Sequence, residues 1–344
     1  MAYTKLKKQI SEREITGIHL IYGAEEYLKA HYLKQIEKLV VGDGFADFNL
    51  IDLEGKGLDV NVLVESIEAY PVMSEKKLVI VHDLPAVSMS DGLLKSLEKE
   101  MQDFPPYCVL VFYYGTTEPD FKKGRAASFL KLLKKKGTVS EIDLADTGDL
   151  ISWIARHFAA EKKKIAKTDA RYILDSCENS MNALSGEIAK IAAYASGPVI
   201  TRADIDAVIT KSMDAKVYQL TDAVVRLNSD TAYHILDELF YLRTPEILMM
   251  GAIARAFSDC YKIKAALVAG ADPIAAGKEF GMRDFVARNY ARAVSAVDIA
   301  ALRDAVAACA KTDRQIKSLR TDKRVLMEKL IAELMLLMRK GAAR

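Results

Sequence analysis

The chain has 344 residues, which at roughly 100 to 200 residues per domain implies two or three domains. A composition of 51% hydrophobic and 28% charged residues, with 8 Pro and 18 Gly, is typical of ordered globular proteins. It excludes collagen-like, disordered and disulfide-scaffold classes. The 49 basic and 47 acidic residues nearly cancel, so any contact with nucleic acid must come from local basic patches.

The N-terminal stretch, the hydropathy and the cysteines exclude further classes of protein. The stretch from Met1 to Glu14 lacks the apolar core of a secretory signal, and no stretch approaches the roughly 18 apolar residues of a membrane span. The four cysteines lie far apart, without a CxxC pair, which argues against zinc and against disulfides. We therefore expect a protein of the reducing cytoplasm that holds no metal and no cofactor.

Short β-rich runs alternate with helical patterns in the N-terminal part. Strands are predicted at 18–22, 48–53, 78–81, 108–113 and 139–144, and helices at 58–69, 91–102 and 126–136. Unbroken apolar strands separated by helices are typical of a parallel sheet that is covered on both faces. The sequence therefore predicts an α/β domain over residues 1–145, with a five-stranded parallel sheet.

The β-rich runs stop after about residue 146, and amphipathic helices follow. A small three-helix domain is predicted over 146–212 and a larger all-α domain over 213–344. Thr201, with Asp204 three residues on, predicts a capped helix start. Glu187 with Lys190, and Asp313 with Lys317, have the spacing of ion pairs within a helix.

The turn after the first predicted strand has the position of a phosphate-binding loop. It contains Gly23, Ala24, Glu25 and Glu26. A working loop needs a second glycine, a lysine and a hydroxyl residue, and none of these occurs between Tyr22 and Leu28. The two carboxylates suit the start of a helix but would repel a polyphosphate. We therefore expect a degenerate phosphate loop that binds no nucleotide.

Asp83 follows the third predicted strand, where ATPases of this architecture carry an acidic pair for magnesium. The next residues are Leu84 and Pro85, so the second carboxylate is missing. The sequence favours a turn or helix-cap role for Asp83. The scattered histidines lie beside no recognisable nucleophile, so no catalytic residue is predicted.

The order of these features resembles one family. The segments are Ile21 to Leu28 (IYGAEEYL), Tyr70 to Val81 (YPVMSEKKLVIV), Glu187 to Ile191 (EIAKI) and Asp313 to Lys317 (DRQIK). With their spacing they resemble the delta subunit of the bacterial DNA polymerase III clamp loader, over essentially the whole chain. The resemblance implies an AAA+-like α/β domain without ATP chemistry, a small helical lid and a helical collar that joins five subunits.

The resemblance also implies a clamp-binding site at Tyr70, Pro71, Val72, Met73 and Ser74. In the family, two large apolar residues at the positions of Val72 and Met73 wedge into a pocket on the beta sliding clamp. Val72 is smaller than the family's usual residue here. The alternative is that Val72 and Met73 close a local core under the loop.

A basic segment lies between Phe121 and Gly137, with seven basic residues and no acidic ones. They are Lys122, Lys123, Arg125, Lys131, Lys134, Lys135 and Lys136. Such a face could contact DNA phosphates. Leucines and a phenylalanine interleave at helical spacing, so the lysines also fit the solvent side of an amphipathic helix.

The implied partners are the beta sliding clamp, the gamma/tau ATPase and delta-prime subunits of a hetero-pentamer, and primer-template DNA through that complex. The implied location is the cytoplasm, at replication forks, with no membrane partner. Two alternatives stay open. One is an active AAA+ ATPase of a clamp loader or replication initiator, and the other is an α/β metabolic enzyme with a pocket near the strand ends.

Overall fold

The computed structural model describes residues 3–42, 46–117, 119–177, 180–282, 284–318 and 320–342. These residues fall into two compact units. The N-terminal unit contains residues 1–156 and 180–185, and the C-terminal unit contains residues 157–179 and 186–344. The predicted boundaries at 145/146 and 212/213 stay a prediction.

A five-stranded sheet forms the centre of the N-terminal unit. Its strands are β1 Gly17–Tyr22, β2 Leu50–Glu54, β3 Lys77–His82, β4 Cys108–Tyr113 and β5 Thr138–Glu141. They lie in the order β2-β3-β4-β1-β5, and every neighbouring pair is parallel. The central strands are buried along most of their length because helices cover both faces. The predicted five-stranded parallel sheet is confirmed.

Among the described residues, six helices lie in the N-terminal unit alone. They are α1 Thr4–Glu12, α2 Glu26–Val40, α3 Ala46–Asn49, α4 Val60–Glu68, α5 Asp91–Glu100 and α6 Gly124–Lys136. Each of α4, α5 and α6 buries apolar residues three or four apart, such as Leu63 with Ile67 and Leu93 with Leu97. These side chains join the core formed by β3 and β4.

The rest of the chain is mostly helical, as predicted. The elements are α7 Thr147–Ala160, β6 Lys164–Ile165, α8 Lys167–Ser176, α9 Met181–Tyr194, β7 Val199–Ile200, α10 Arg202–Val208, α11 Met213–Val225, α12 Ser229–Tyr241, α13 Glu246–Val268, α14 Pro273–Glu279, α15 Asp284–Ala293, α16 Ile299–Ser318 and α17 Lys323–Ala342. The helices α11, α12, α13, α15, α16 and α17 share one apolar core. None of the helices in the described ranges is long and apolar enough to cross a bilayer.

The sequence missed two details of this part. The strands β6 and β7 pair in parallel, although β-rich runs were expected to stop near residue 146. Each strand has two residues, too few to show a periodic pattern. The predicted small domain also contains four helices, α7 to α10, where three were expected.

Three local predictions for the C-terminal half are confirmed. Thr201 and Asp204 form a reciprocal capping box at the start of α10. Lys317 Nζ lies 2.7 Å from Asp313 Oδ2. Lys190 Nζ lies 2.7 Å from Glu187 Oε1, and Glu187 also accepts a hydrogen bond from the backbone N–H of Thr210.

Candidate functional site

The loop between α4 and β3 presents large apolar side chains to solvent. Tyr70 and Met73 are each 80% exposed and Val72 is 48% exposed, while Pro71 and Ser74 are half-buried. Residues 70–74 are called the apolar loop below. The alternative that Val72 and Met73 close a local core is wrong, because neither side chain is buried.

A buried lysine fixes the start of the apolar loop. Lys77, the first residue of β3, is only 2% exposed. Its Nζ donates a 2.6 Å hydrogen bond to the Ser66 carbonyl and a second to the Ala69 carbonyl. These carbonyls at the end of α4 have no partner within the helix, so the ammonium satisfies them and favours the negative end of the helix dipole. Burial lowers the pKa of Lys77.

An aromatic pair supports the same end of the loop. The Tyr70 and Tyr107 ring centroids lie 4.8 Å apart. The Tyr107 hydroxyl donates a 2.7 Å hydrogen bond to the Glu68 carbonyl. Lys77 Nζ lies 5.7 Å from the centroid of the Tyr107 ring, within cation–π range. Tyr70 therefore stays exposed while its ring position is fixed.

The tip of the apolar loop has an uncommon backbone. Met73 has φ of 52°, in the left-handed region that side chains other than glycine rarely adopt. The Ser74 hydroxyl donates to the Lys76 carbonyl at 3.0 Å and tightens the return to β3. A strained tip persists only where its surroundings hold it, so this conformation is imposed by the fold.

Gly23 lies at the end of β1, where the phosphate loop was predicted. It has φ of 118°, and a Cβ at this position would lie 2.4 Å from the Ile142 carbonyl oxygen. The backbone N–H of Glu25 donates to the same carbonyl at 3.0 Å, and Ile142 N–H donates to Tyr22 at 2.8 Å. Close packing of two backbone segments explains this glycine without any nucleotide.

The two acidic residues occupy the start of α2, as predicted. Glu25 is the N-cap, and its carboxylate accepts a hydrogen bond from the backbone N–H of Tyr27. Burial raises the pKa of Glu25, and the Glu26 carboxylate adds to that rise. The backbone N–H of Tyr27, at the helix start, is thus engaged by a carboxylate.

The expectation that a phosphate-loop lysine is missing needs a correction. Counting from Gly23 in the pattern GxxxxGK[ST], Lys29 occupies the lysine position, one residue past the segment Tyr22–Leu28. Leu28 replaces the second glycine and Ala30 the hydroxyl residue. Lys29 is 2% exposed, and its Nζ donates to the Tyr114 carbonyl at 2.7 Å and to the Gly115 carbonyl at 3.3 Å. A lysine is therefore present at this position, and it binds backbone carbonyls.

Asp83 has the turn role that the sequence favoured. Its carboxylate accepts hydrogen bonds from the backbone N–H and the hydroxyl of both Thr116 and Thr117, and it thereby joins the ends of β3 and β4. Partial burial by itself raises the pKa of Asp83, but these hydrogen bonds outweigh burial and hold the pKa below 3.8. The residue has φ of 47°, which Asp and Asn tolerate better than most.

We expect Asp83→Asn to lower the free energy of unfolding by about 1 to 2 kcal/mol near pH 7, because one acceptor oxygen is lost. Asn tolerates the same φ, so the change isolates the hydrogen bonds. Because the folded pKa lies below the unfolded value, the wild-type contribution is complete above pH 3.8 and disappears as the pH falls through the folded pKa. In denaturant unfolding at falling pH, the free energies of unfolding of wild type and Asp83→Asn should therefore converge. A difference that stays constant with pH would contradict this account.

The basic segment forms α6 and the turn before it. Ala126, Phe129 and Leu133 face the core. The six lysines, Lys122, Lys123, Lys131, Lys134, Lys135 and Lys136, are exposed, and none forms an ion pair with another described residue. Arg125 instead binds Asp91 at 2.7 Å. The amphipathic helix is confirmed, and a contact with DNA stays a prediction.

Within the described ranges, no three His, Cys, Asp or Glu side chains lie close enough to hold a metal ion. Comparison with known proteins gives two family matches. Residues 19–143 match the family described as DNA polymerase III, delta subunit, and residues 214–334 match the DNA polymerase III delta subunit, C-terminal domain.

Individual relatives agree with these matches. The chain is 24% identical over 340 residues to the DNA polymerase III subunit delta of Bacillus subtilis (strain 168), covering 95% of each chain. The structure of the Bacillus subtilis DNA clamp loader delta protein is similar in fold, with a TM-score of 0.66 at 20% identity over 98% of this chain and 100% of that one. Because the two family matches together span more than half of the sequence, the chain belongs to the DNA polymerase III delta subunit family.

Proposed function

We propose that this chain binds the beta sliding clamp through the apolar loop and opens the clamp ring, without hydrolysing ATP itself. The observation that carries the proposal is the presentation of Tyr70, Val72 and Met73 on a loop whose backbone is fixed from both ends. Membership of the delta subunit family supplies the partner.

The chemistry of the loop suits an apolar pocket on a protein. Full burial of a valine or methionine side chain contributes about 1.5 to 3 kcal/mol. Methionine is unbranched and adapts to irregular pockets. Because the loop is ordered before it binds, little conformational entropy is lost on contact. Exposed apolar side chains on a fixed loop are costly in water, which favours a role in binding.

Ring opening requires that the loop bind one clamp conformation better than the other. A ligand shifts an equilibrium only by its difference in affinity for the two states. Insertion of Val72 and Met73 beside a clamp interface would favour the open ring. ATP bound by the neighbouring gamma/tau subunits would bring this loop to the clamp, so the chain acts mechanically.

The phosphate loop supports a subunit without ATP chemistry. Lys29 donates to two carbonyls, Glu25 caps the helix, and Leu28 and Ala30 replace the remaining motif residues. The active ATPase alternative requires that Lys29 be released from the two carbonyls and that the Glu25 carboxylate leave the start of α2. The metabolic enzyme alternative needs a pocket at the strand ends. There the Asp83 carboxylate already accepts hydrogen bonds from Thr116 and Thr117.

The all-α part is proposed as the collar that joins this chain to the gamma/tau and delta-prime subunits in a hetero-pentamer. Primer-template DNA would contact the assembled complex, with the exposed lysines of α6 as candidate phosphate contacts. Cytoplasmic location at the replication fork follows from this role.

The test is a titration of the labelled cognate clamp with the isolated chain. We expect one-to-one binding that is unchanged by Mg-ATP, and no saturable binding of Mg-ATP up to millimolar concentrations. Binding of Mg-ATP at one site per chain would support the ATPase alternative. Absence of clamp binding would refute the proposal.

A further inference from the structure

A buried amide lies under the apolar loop. Asn49 ends α3 and immediately precedes β2, and its side chain is fully buried. Because β2 pairs with β3 in the register Leu50 to Leu78, Asn49 lies beside the chain that enters β3. That entering chain is the apolar loop.

The Asn49 amide makes two hydrogen bonds to one residue of that loop. The backbone N–H of Val72 donates to Asn49 Oδ1 at 2.7 Å, and Asn49 Nδ2 donates to the Val72 carbonyl at 2.9 Å. Only one orientation of the amide satisfies both groups. The side chain therefore makes the two backbone hydrogen bonds that a neighbouring β-strand would make, and it fixes the peptide units on both sides of Val72.

The fixed residue directly precedes the strained tip. Val72 is followed by Met73, whose φ of 52° is unfavourable for a side chain. A free loop would relax from this conformation and turn the Met73 side chain elsewhere. Asn49 contributes no exposed surface, so it cannot contact a partner directly.

We propose that Asn49 is a positioning residue that holds Val72 and Met73 in the conformation that binds the clamp; this rests on the proposed function. Without Asn49 the loop must be ordered at the moment of binding, and that entropic loss weakens the complex. Asn49 lies outside the apolar loop, 23 positions before Val72 in the sequence.

The experiment compares Asn49→Ala and the milder Asn49→Ser with a matched core variant, Ile36→Val, in α2 of the same unit. Three quantities are measured: the melting temperature, the hydrogen-exchange rate of the Val72 amide in the free chain, and the affinity for the purified cognate clamp. We expect both Asn49 variants to exchange the Val72 amide at least about tenfold faster and to bind the clamp about tenfold more weakly. Ile36→Val should change neither the exchange rate of the Val72 amide nor the clamp affinity by more than about twofold.

Several results would overturn the proposal. Wild-type clamp affinity in a folded Asn49 variant whose Val72 amide exchanges fast would show that loop order is irrelevant to binding. An unchanged Val72 exchange rate would show that Asn49 does not hold the loop. Failure of both Asn49 variants to fold would make the residue structural. If the wild-type chain binds no clamp, the proposed function fails and the inference with it, whereas the exchange rates still report whether Asn49 orders the loop.

Discussion

Replacing Val72 and Met73 together by alanine is expected to weaken clamp binding at least about 100-fold while the chain stays folded. The loss follows from the apolar surface removed, since two such side chains contribute about 3 kcal/mol or more when buried in a pocket. Both side chains are exposed in the free chain, so their removal leaves no cavity and no unpaired polar group. The measurement is the clamp dissociation constant, with circular dichroism and the melting temperature as checks of folding.

The matched control is the double replacement of Val87 and Leu144 by alanine. These side chains are also large, apolar and mostly exposed, and they lie in the same unit outside the apolar loop. Their removal should leave clamp affinity within about twofold of wild type. Equal loss in both double variants would show that general surface hydrophobicity, rather than the apolar loop, drives binding.

Gly23→Ala is expected to lower the free energy of unfolding by at least about 3 kcal/mol. The added Cβ would lie 2.4 Å from the Ile142 carbonyl oxygen. That oxygen accepts a hydrogen bond from the Glu25 N–H, and the Ile142 N–H donates to the Tyr22 carbonyl, so neither backbone segment can retreat. A φ of 118° is also strongly unfavourable for alanine. Urea unfolding of the two proteins measures the difference.

Gly57→Ala serves as the control for this prediction. Gly57 also has a positive φ, of 78°, but a Cβ there meets no atom within 4 Å. Its replacement should therefore cost only about 1 kcal/mol, the ordinary penalty for a left-handed residue. If Gly23→Ala and Gly57→Ala cost the same, close packing against Ile142 does not explain why this glycine is present.

The strands were predictable because they are buried from both faces. The runs around β3 and β4 contain almost only apolar residues, so their places follow from hydropathy alone. The short edge strand β2 begins two residues later than predicted, because Phe48 and Asn49 belong to the helical turn α3. Edge positions are less buried and their boundaries are less marked in the sequence.

The residues that fix the site were not predictable in the same way. Lys77 begins an apolar strand, and a lysine would be expected in solvent, yet its ammonium caps a helix that ends nine residues earlier. Asn49 acts on Val72 only because β2 and β3 are neighbours. The Asn49 contact depends on strand register, and the Lys77 contact depends on how the end of α4 lies beside β3. Local sequence patterns carry no information about either arrangement. Lys29 differs, because counting from Gly23 could have identified it.

Exposure was the part of the site that the sequence left open. Val72 and Met73 fit a local core as well as a contact surface when only their hydrophobicity is known. The Lys77 bond to the Ala69 carbonyl and the Asn49 bonds to Val72 hold the backbone of the loop, and the side chains of Tyr70, Val72 and Met73 remain exposed.

The most direct test of the central claim is photo-crosslinking to the clamp from single positions. A photoreactive amino acid replaces Tyr70 in one protein and Leu144 in another, and each is irradiated with the cognate clamp. We predict a covalent product between chain and clamp from the Tyr70 position, lost when Val72 and Met73 are both alanine, and none from the Leu144 position. Clamp binding without any crosslink from the Tyr70 position, or equal crosslinking from both positions, would contradict the account.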